Sequence, residues 1–179
     1  MKNFLQIAGG LDITPALLAI TRRALWKEDT FLRNYPQGPF GDVESIICRF
    51  PSKELIEAGG DQHENFDQPV YQLLPEVRHI VMGLMARVSG ERLGRVILNK
   101  IRPGGVITPH KDTSPHCDYW DRFHVVLQSA PGVVFRAEDE QVYMATGDTW
   151  WFQNAVEHEV INNSPIDRIH LVIDIKTSQ

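Results

Sequence analysis

After Gly90 the chain changes texture, and that change limits the fold more than any other feature. RVILNKI (95–101), GVITPH (105–110), FHVVLQS (123–129), GVVFRAE (132–138), QVYMAT (141–146), DTWWFQ (148–153), EVINNS (159–164) and RIHLVIDI (168–175) are short runs rich in β-branched and aromatic residues. Gly, Pro, Asn or Asp separates them, so each reads as a strand. Eight strands within about eighty residues predict a small barrel or jelly roll. The first half reads differently. ITPALLAITRRALW (13–26) is expected to be a helix, with Thr14 as N-cap and Pro15 as its first helical residue. PEVRHIVMGLMARV (75–88) carries a 3.6-residue apolar stripe behind Pro75. SIICRF (45–50) reads as a short buried strand, and residues 51–70 as loop or flap. The expected class is mainly β, with N-terminal helices packed on one sheet. At 179 residues one domain is expected: a helical and loop region over 1–92 supporting a barrel over 93–176.

Composition removes several functions. The formal charge is −5 and no basic run stands out, which argues against nucleic acid as a partner. The two cysteines, Cys48 and Cys117, form no disulfide framework. Asp12, Arg22 and Arg23 interrupt the apolar N-terminal stretch, and no run approaches the length of a membrane span. A cytoplasmic protein without a membrane partner is expected; oligomeric state stays open.

Histidine placement is the chemical signal. Three of the seven histidines fall in PHKDTSPHCDYWDRFHVVL (109–127), and His158 and His170 follow. His110 and Asp112 are two apart, a spacing that puts both on one face at a strand end. His158, at the start of a later strand, is the natural third member. Two imidazoles and one carboxylate make a facial triad, which leaves open positions and suits non-haem Fe(II). Arg168 leads an apolar strand ten residues after His158. A buried Arg there would take a carboxylate by bidentate pairing.

Three segments, IRPGGVITPHKD, DRFHVVLQ and GDTWWFQNAVEHEVINNSPIDRIHLVIDI, resemble in order and spacing the aspartyl/asparaginyl β-hydroxylase family of 2-oxoglutarate oxygenases. The likeness runs from about Arg95 to Ile175, just under half the chain. It implies a double-stranded β-helix (a cupin-like jelly roll) and a dioxygenase using Fe(II), 2-oxoglutarate and O2. By position it implies His110, Asp112 and His158 on iron and Arg168 on the far carboxylate of 2-oxoglutarate. Arg122 and His124 match a family element that holds the cosubstrate, and Asn99 falls where a small polar residue faces it. Some members lack the carboxylate ligand; this chain has Asp112, which argues against halogenation. The implied reaction is hydroxylation of an aliphatic carbon in an amino acid or in an Asp- or Asn-type peptide residue. Two readings stand beside it: a cupin-like metal protein without oxygenase activity, such as an isomerase or ligand sensor, and an interaction domain with incidental histidines.

Other residues are expected to be ordinary. His116 reads as a solvated loop histidine, His170 as a hydrogen-bonded barrel histidine, and His63 and His79 as peripheral. Trp150 and Trp151 should alternate between core and surface. Tyr119 and Trp120 are placed either to wall a substrate pocket or to form an interface. The acidic stretches GDQHENFD and CDYWD suggest either a cationic or amine-bearing substrate or solvated loops.

Overall fold

The computed structural model describes residues 1–26, 38–57 and 63–178. Two antiparallel sheets face each other. In chain order the strands are β1 (Phe4–Ala8), β2 (Val43–Phe50), β3 (Phe66–Asp67), β4 (Gly90–Ile101), β5 (Val106–His110), β6 (Asp121–Gln128), β7 (Val133–Ala137), β8 (Glu140–Val142), β9 (Thr149–Phe152), β10 (His158–Asn162) and β11 (Arg168–Thr177). The larger sheet runs β1-β9-β6-β11-β4-β2-β3 and the smaller β5-β10-β7-β8. This is the double-stranded β-helix. The helices are α1 (Thr14–Arg22), α2 (Lys53–Glu57), α3 (Pro69–Gln72), α4 (Pro75–Arg87) and α5 (Pro115–Tyr119).

Strand alternation assigns the two faces of the larger sheet. On β11, Ile169, Leu171, Ile173 and Ile175 point to one side and join Phe123, Val125 and Leu127 of β6 in an apolar cluster. Ala16, Ala19 and Ile20 of α1 and Val77, Val81 and Leu84 of α4 close that cluster from outside, so the helices do cover one sheet. The opposite face of β11, with Arg168, His170, Val172 and Asp174, looks between the sheets. There Phe135, Phe152, Trp150 and Val160 form a second core, and polar side chains share the space.

Several expectations are corrected. The strand read at 45–50 is present as β2 and pairs with β4, whereas β1 was not read and pairs with β9; both complete the larger sheet. The expected strand at 141–146 stops at Val142. Asp148 accepts the Ala145 N–H, and Gly147 takes a positive φ of 87°, which turns the chain. The first helix ends at Arg22 because Ala24 adopts φ 46°; its N-cap is Ile13 rather than Thr14. Residues 51–70 hold α2 and β3, with 58–62 outside the described residues. Both tryptophans are packed: Trp150 lies in the inter-sheet core, while Trp151 packs half-buried against the helix-side cluster. Among the described residues no helix is long and apolar enough to cross a membrane.

Leu171 is fully buried on the central strand, paired with Leu98 and Val125. Leu171→Ala should cost about 2–5 kcal/mol through lost burial and the cavity left behind. Urea denaturation measures it; a loss under about 1 kcal/mol would contradict a core centred on β11.

Candidate metal centre

His110 ends β5 and His158 begins β10, and the two are direct cross-strand partners. Their rings lie 4.2 Å apart. Asp112 follows just beyond β5, where its N–H donates to the Asn154 carbonyl at 3.1 Å. One donor atom from each of His110, Asp112 and His158 falls within 4.8 Å of the others. The backbone sets both imidazole tautomers. His110 Nδ1 donates to the Thr108 carbonyl at 2.8 Å and His158 Nδ1 to the Val156 carbonyl at 2.9 Å. A carbonyl only accepts, so Nδ1 carries the proton and Nε2 keeps its lone pair. Burial pushes the His158 pKa down to about 4, so this imidazole is neutral and able to bind a metal at neutral pH.

The carboxylate is held from behind. Asp112 Oδ2 takes hydrogen bonds from Arg122 and, at 3.3 Å, from Asn154 Nδ2. Its Oδ1 faces His110 Nε2 at 3.7 Å. Arg122 also grips Asp174 with Nε at 2.8 Å and Nη2 at 3.0 Å. His116 donates to the same Asp174 at 2.7 Å. Burial alone would raise the Asp174 pKa, but the Arg122 charge and the His116 bond hold it well below the usual carboxylate range. Burial likewise opposes the Arg122 charge, and Asp174 and Asp112 more than offset it.

A cavity of about 130 Å³ opens from the triad, lined by Asn99, Arg122, His124, Phe135, Phe152 and Arg168 among others. Arg168 is fully buried and has no carboxylate partner among the described residues. Its Nη2 donates to His170 Nδ1 at 2.9 Å, its Nε bonds to nothing, and Phe135 lies 5.7 Å beneath it. Burial lowers its pKa to about 9, which leaves it charged at neutral pH. A buried cation without an anion is costly, so this end of the cavity could take an anionic ligand. His124 contacts His170 at 3.2 Å, and its Nε2 is also unpartnered. Asn99 lines the cavity and accepts from Ser45 at 2.8 Å.

The structure therefore brings together all seven residues singled out from the sequence, with one change of circumstance. Arg122, read as holding the cosubstrate, has its guanidinium engaged by two carboxylates. His116 is corrected outright: it is buried on α5 against Asp174, not solvated. His170 is hydrogen-bonded within the barrel, as read. Tyr119 does not wall the cavity but stacks on His63 at 4.0 Å, and Trp120 is buried beside them. Of the acidic stretches, Asp67 pairs with Arg49 and Arg78, and Asp121 takes Trp151 and Thr177. Residues 60–62 lie outside the described residues. Asn154, Asp174 and Arg95 were missed; an Asp inside an apolar strand was the available signal for Asp174.

A double-stranded β-helix with a two-histidine, one-carboxylate site and a buried arginine at the far end of the same cavity defines the class. The sequence model of the aspartyl/asparaginyl beta-hydroxylase family matches residues 52–178, and the chain belongs to that family. The match begins well before the motifs in the second half. L-proline cis-4-hydroxylase of Rhizobium meliloti (strain 1021) is 27% identical over 90 residues, which is 50% of this chain and 31% of that protein. The chain thus aligns with about a third of the relative's length. The viral collagen prolyl hydroxylase of Paramecium Bursaria Chlorella virus-1, solved as a 2OG complex, superposes with a TM-score of 0.58 at 11% identity, covering 99% of this chain and 97% of that one. A Pseudomonas putida prolyl-4-hydroxylase gives 0.53 at 15% identity, covering 100% and 95%. At these identities the structural likeness speaks for the fold.

Two measurements follow from the site. Asp174→Asn removes a buried charge from Arg122 and His116 and should cost about 3–5 kcal/mol in urea unfolding. Metal affinity should fall about 10–100-fold, because Asp112 loses its fixed support; unchanged metal binding would separate Asp174 from the site. The second is a pH effect. Burial lowers the pKa of His124 and His170 well below 6.5 and that of His158 to about 4. Between the unfolded value of 6.5 and these folded values only the unfolded chain takes up protons. Stability of the metal-free protein should be full above pH 6.5 and fall below it, by up to about 1.4 kcal/mol per pH unit for each histidine. A urea midpoint unchanged between about pH 7 and pH 5 would contradict the buried neutral cluster.

Proposed function

We propose that this chain is an Fe(II)- and 2-oxoglutarate-dependent dioxygenase that hydroxylates an aliphatic carbon of an amino acid, free or as an Asp- or Asn-type residue in a peptide. The observation that carries the reading is the shared cavity: the His110, Asp112 and His158 triad opens onto the same space as Arg168, a buried cation lacking an anion. The names of the relatives, hydroxylases of proline and of collagen, favour the same chemistry.

The donor set fits a divalent ion of the first transition row. When bound, iron and 2-oxoglutarate supply the oxidising chemistry by which O2 converts C–H to C–OH, with succinate and CO2 as products. The chain's own residues do the rest. His110 and His158 present Nε2 because Thr108 and Val156 hold Nδ1. Arg122 and Asn154 occupy one oxygen of Asp112 and turn the other toward the histidines. Arg168 receives the far carboxylate of the cosubstrate, with Asn99 and His124 on the same cavity wall. Ile107, Phe135, Phe152 and Val160 keep water from the reacting centre.

Anaerobic addition of Fe(II) and then 2-oxoglutarate should produce the visible charge-transfer band of a chelated keto acid. His110→Ala should abolish the band. Arg168→Leu should keep iron binding but weaken 2-oxoglutarate by about 2–5 kcal/mol. Iron binding without a band would instead favour a cupin-like metal protein that is not an oxygenase.

A further inference from the structure

A second and larger cavity lies outside the barrel, on the helix side of the larger sheet. It holds about 700 Å³, within the roughly 300–1,000 Å³ of small-ligand sites. Its floor is Val125 of β6 and Thr149 of β9, which are cross-strand partners. One wall is α4, through Glu76, Ile80, Gly83, Leu84 and Arg87. Those positions recur at helical spacing and share one face. Residues 8–12 and the first turn of α1 make the other wall. The metal cavity is on the opposite face of the sheet, where His124, the neighbour of Val125 on β6, lines it.

This groove has the marks of a site rather than a packing gap. Thr149 is only 4% exposed and lines the groove, yet its hydroxyl makes no hydrogen bond among the described residues. A buried hydroxyl without a partner is unfavourable, and the groove is the side from which a partner can come. Gly83 stands in the middle of α4, although glycine is the poorest helix former short of proline. An added Cβ there would meet nothing within 4 Å, so crowding does not call for glycine. Its effect is to leave the wall bare. With Ala8, Gly10 and Ala16 across the groove, it lets another backbone come close.

The charges of the lining are unevenly answered. Asp12 accepts the Thr14 N–H at 3.0 Å, and Glu76 Oε1 faces Arg23 at 3.9 Å. Arg87, in the last turn of α4, has no partner among the described residues. Glu76 and Arg87 are 11 residues apart on α4, about 16 Å along the helix. That is the length of about five extended residues.

We infer that this groove binds a short apolar peptide with a free C-terminal carboxylate, at a site separate from the metal centre. The carboxylate pairs with Arg87. The peptide backbone passes over the bare Gly83 and gives Thr149 its missing hydrogen bond. Apolar side chains of the peptide cover Ile80, Leu84 and Val125. A carboxylate at the Glu76 end would meet a like charge, so the peptide has one orientation. A fatty carboxylate would satisfy Arg87 but leave Thr149 without a partner.

The test uses the full chain with N-acetyl-Leu-Ala-Leu-Ala as the acid and as the C-terminal amide, and with octanoate. Calorimetry gives the affinity, and the Tm shift is a second reading. The peptide acid should bind saturably, the amide about three- to tenfold more weakly, and octanoate more weakly than the acid. Arg87→Gln should bring the acid down to the level of the amide, and Arg87→Lys should recover part of the difference. Thr149→Val should weaken the peptide by about three- to tenfold and leave octanoate unchanged. Gly83→Leu should abolish saturable binding without lowering the Tm of the free protein, because leucine is the better helix former. The comparison of acid, amide and octanoate on the unsubstituted protein stands even where a variant does not fold. Acid and amide binding alike, octanoate matching the peptide, binding that survives Gly83→Leu, or no saturable binding would each overturn the inference. None of these readings uses iron or 2-oxoglutarate, so they stand or fall apart from the oxygenase reading.

Discussion

The fully buried carboxylate of Asp174 organises the open end of this barrel. It sits on the central strand β11, where an unpaired charge would be prohibitive. Arg122 from the adjacent strand β6 answers it with two hydrogen bonds, and His116 from α5 adds a third. Arg122 then reaches on to Asp112, which follows β5 of the opposite sheet. One chain of charges thus spans both sheets and the intervening loop. Gly94 makes room for it: a Cβ there would come within 3.0 Å of both the Asp174 carbonyl and the Trp120 ring.

This arrangement explains why the interior of the barrel is polar although its strands are mostly apolar. Burial of Ile169, Leu171, Ile173 and Ile175 against the helices supplies the hydrophobic stabilisation on one face. The other face is then free to hold Arg168, His170 and Asp174, whose desolvation costs stability. Among these, Asp174 is paired within the protein, whereas Arg168 is not. The division separates a charge satisfied within the protein from one that is not.

The same division decided what could be read from the sequence. RIHLVIDI shows its two faces directly, because strict alternation places Arg168, His170 and Asp174 together. The triad was readable from the two-residue step at His110 and the strand-start position of His158, since strand ends and backbone carbonyls fix both histidines. His116 was not, because Ser, Pro and Asp around it have loop composition, while its partner Asp174 is 58 residues away. The double duty of Arg122 was hidden for the same reason: its partners come from two other elements. Strand β1 was missed because FLQIA is too short for periodicity to distinguish from loop, and only its pairing with β9 makes it a strand.

The support behind Asp112 also limits how that residue can bind a metal. Its Oδ2 already accepts from Arg122 and Asn154, which leaves Oδ1 as the oxygen turned toward His110. A carboxylate held this way gives one donor atom rather than two. With one nitrogen each from His110 and His158, the chain would offer a metal three donor atoms and leave its other positions to ligands. The ion pair of Arg122 with Asp112 is therefore more than a structural link: by occupying the second oxygen, it would hold the carboxylate to one donor atom toward a metal.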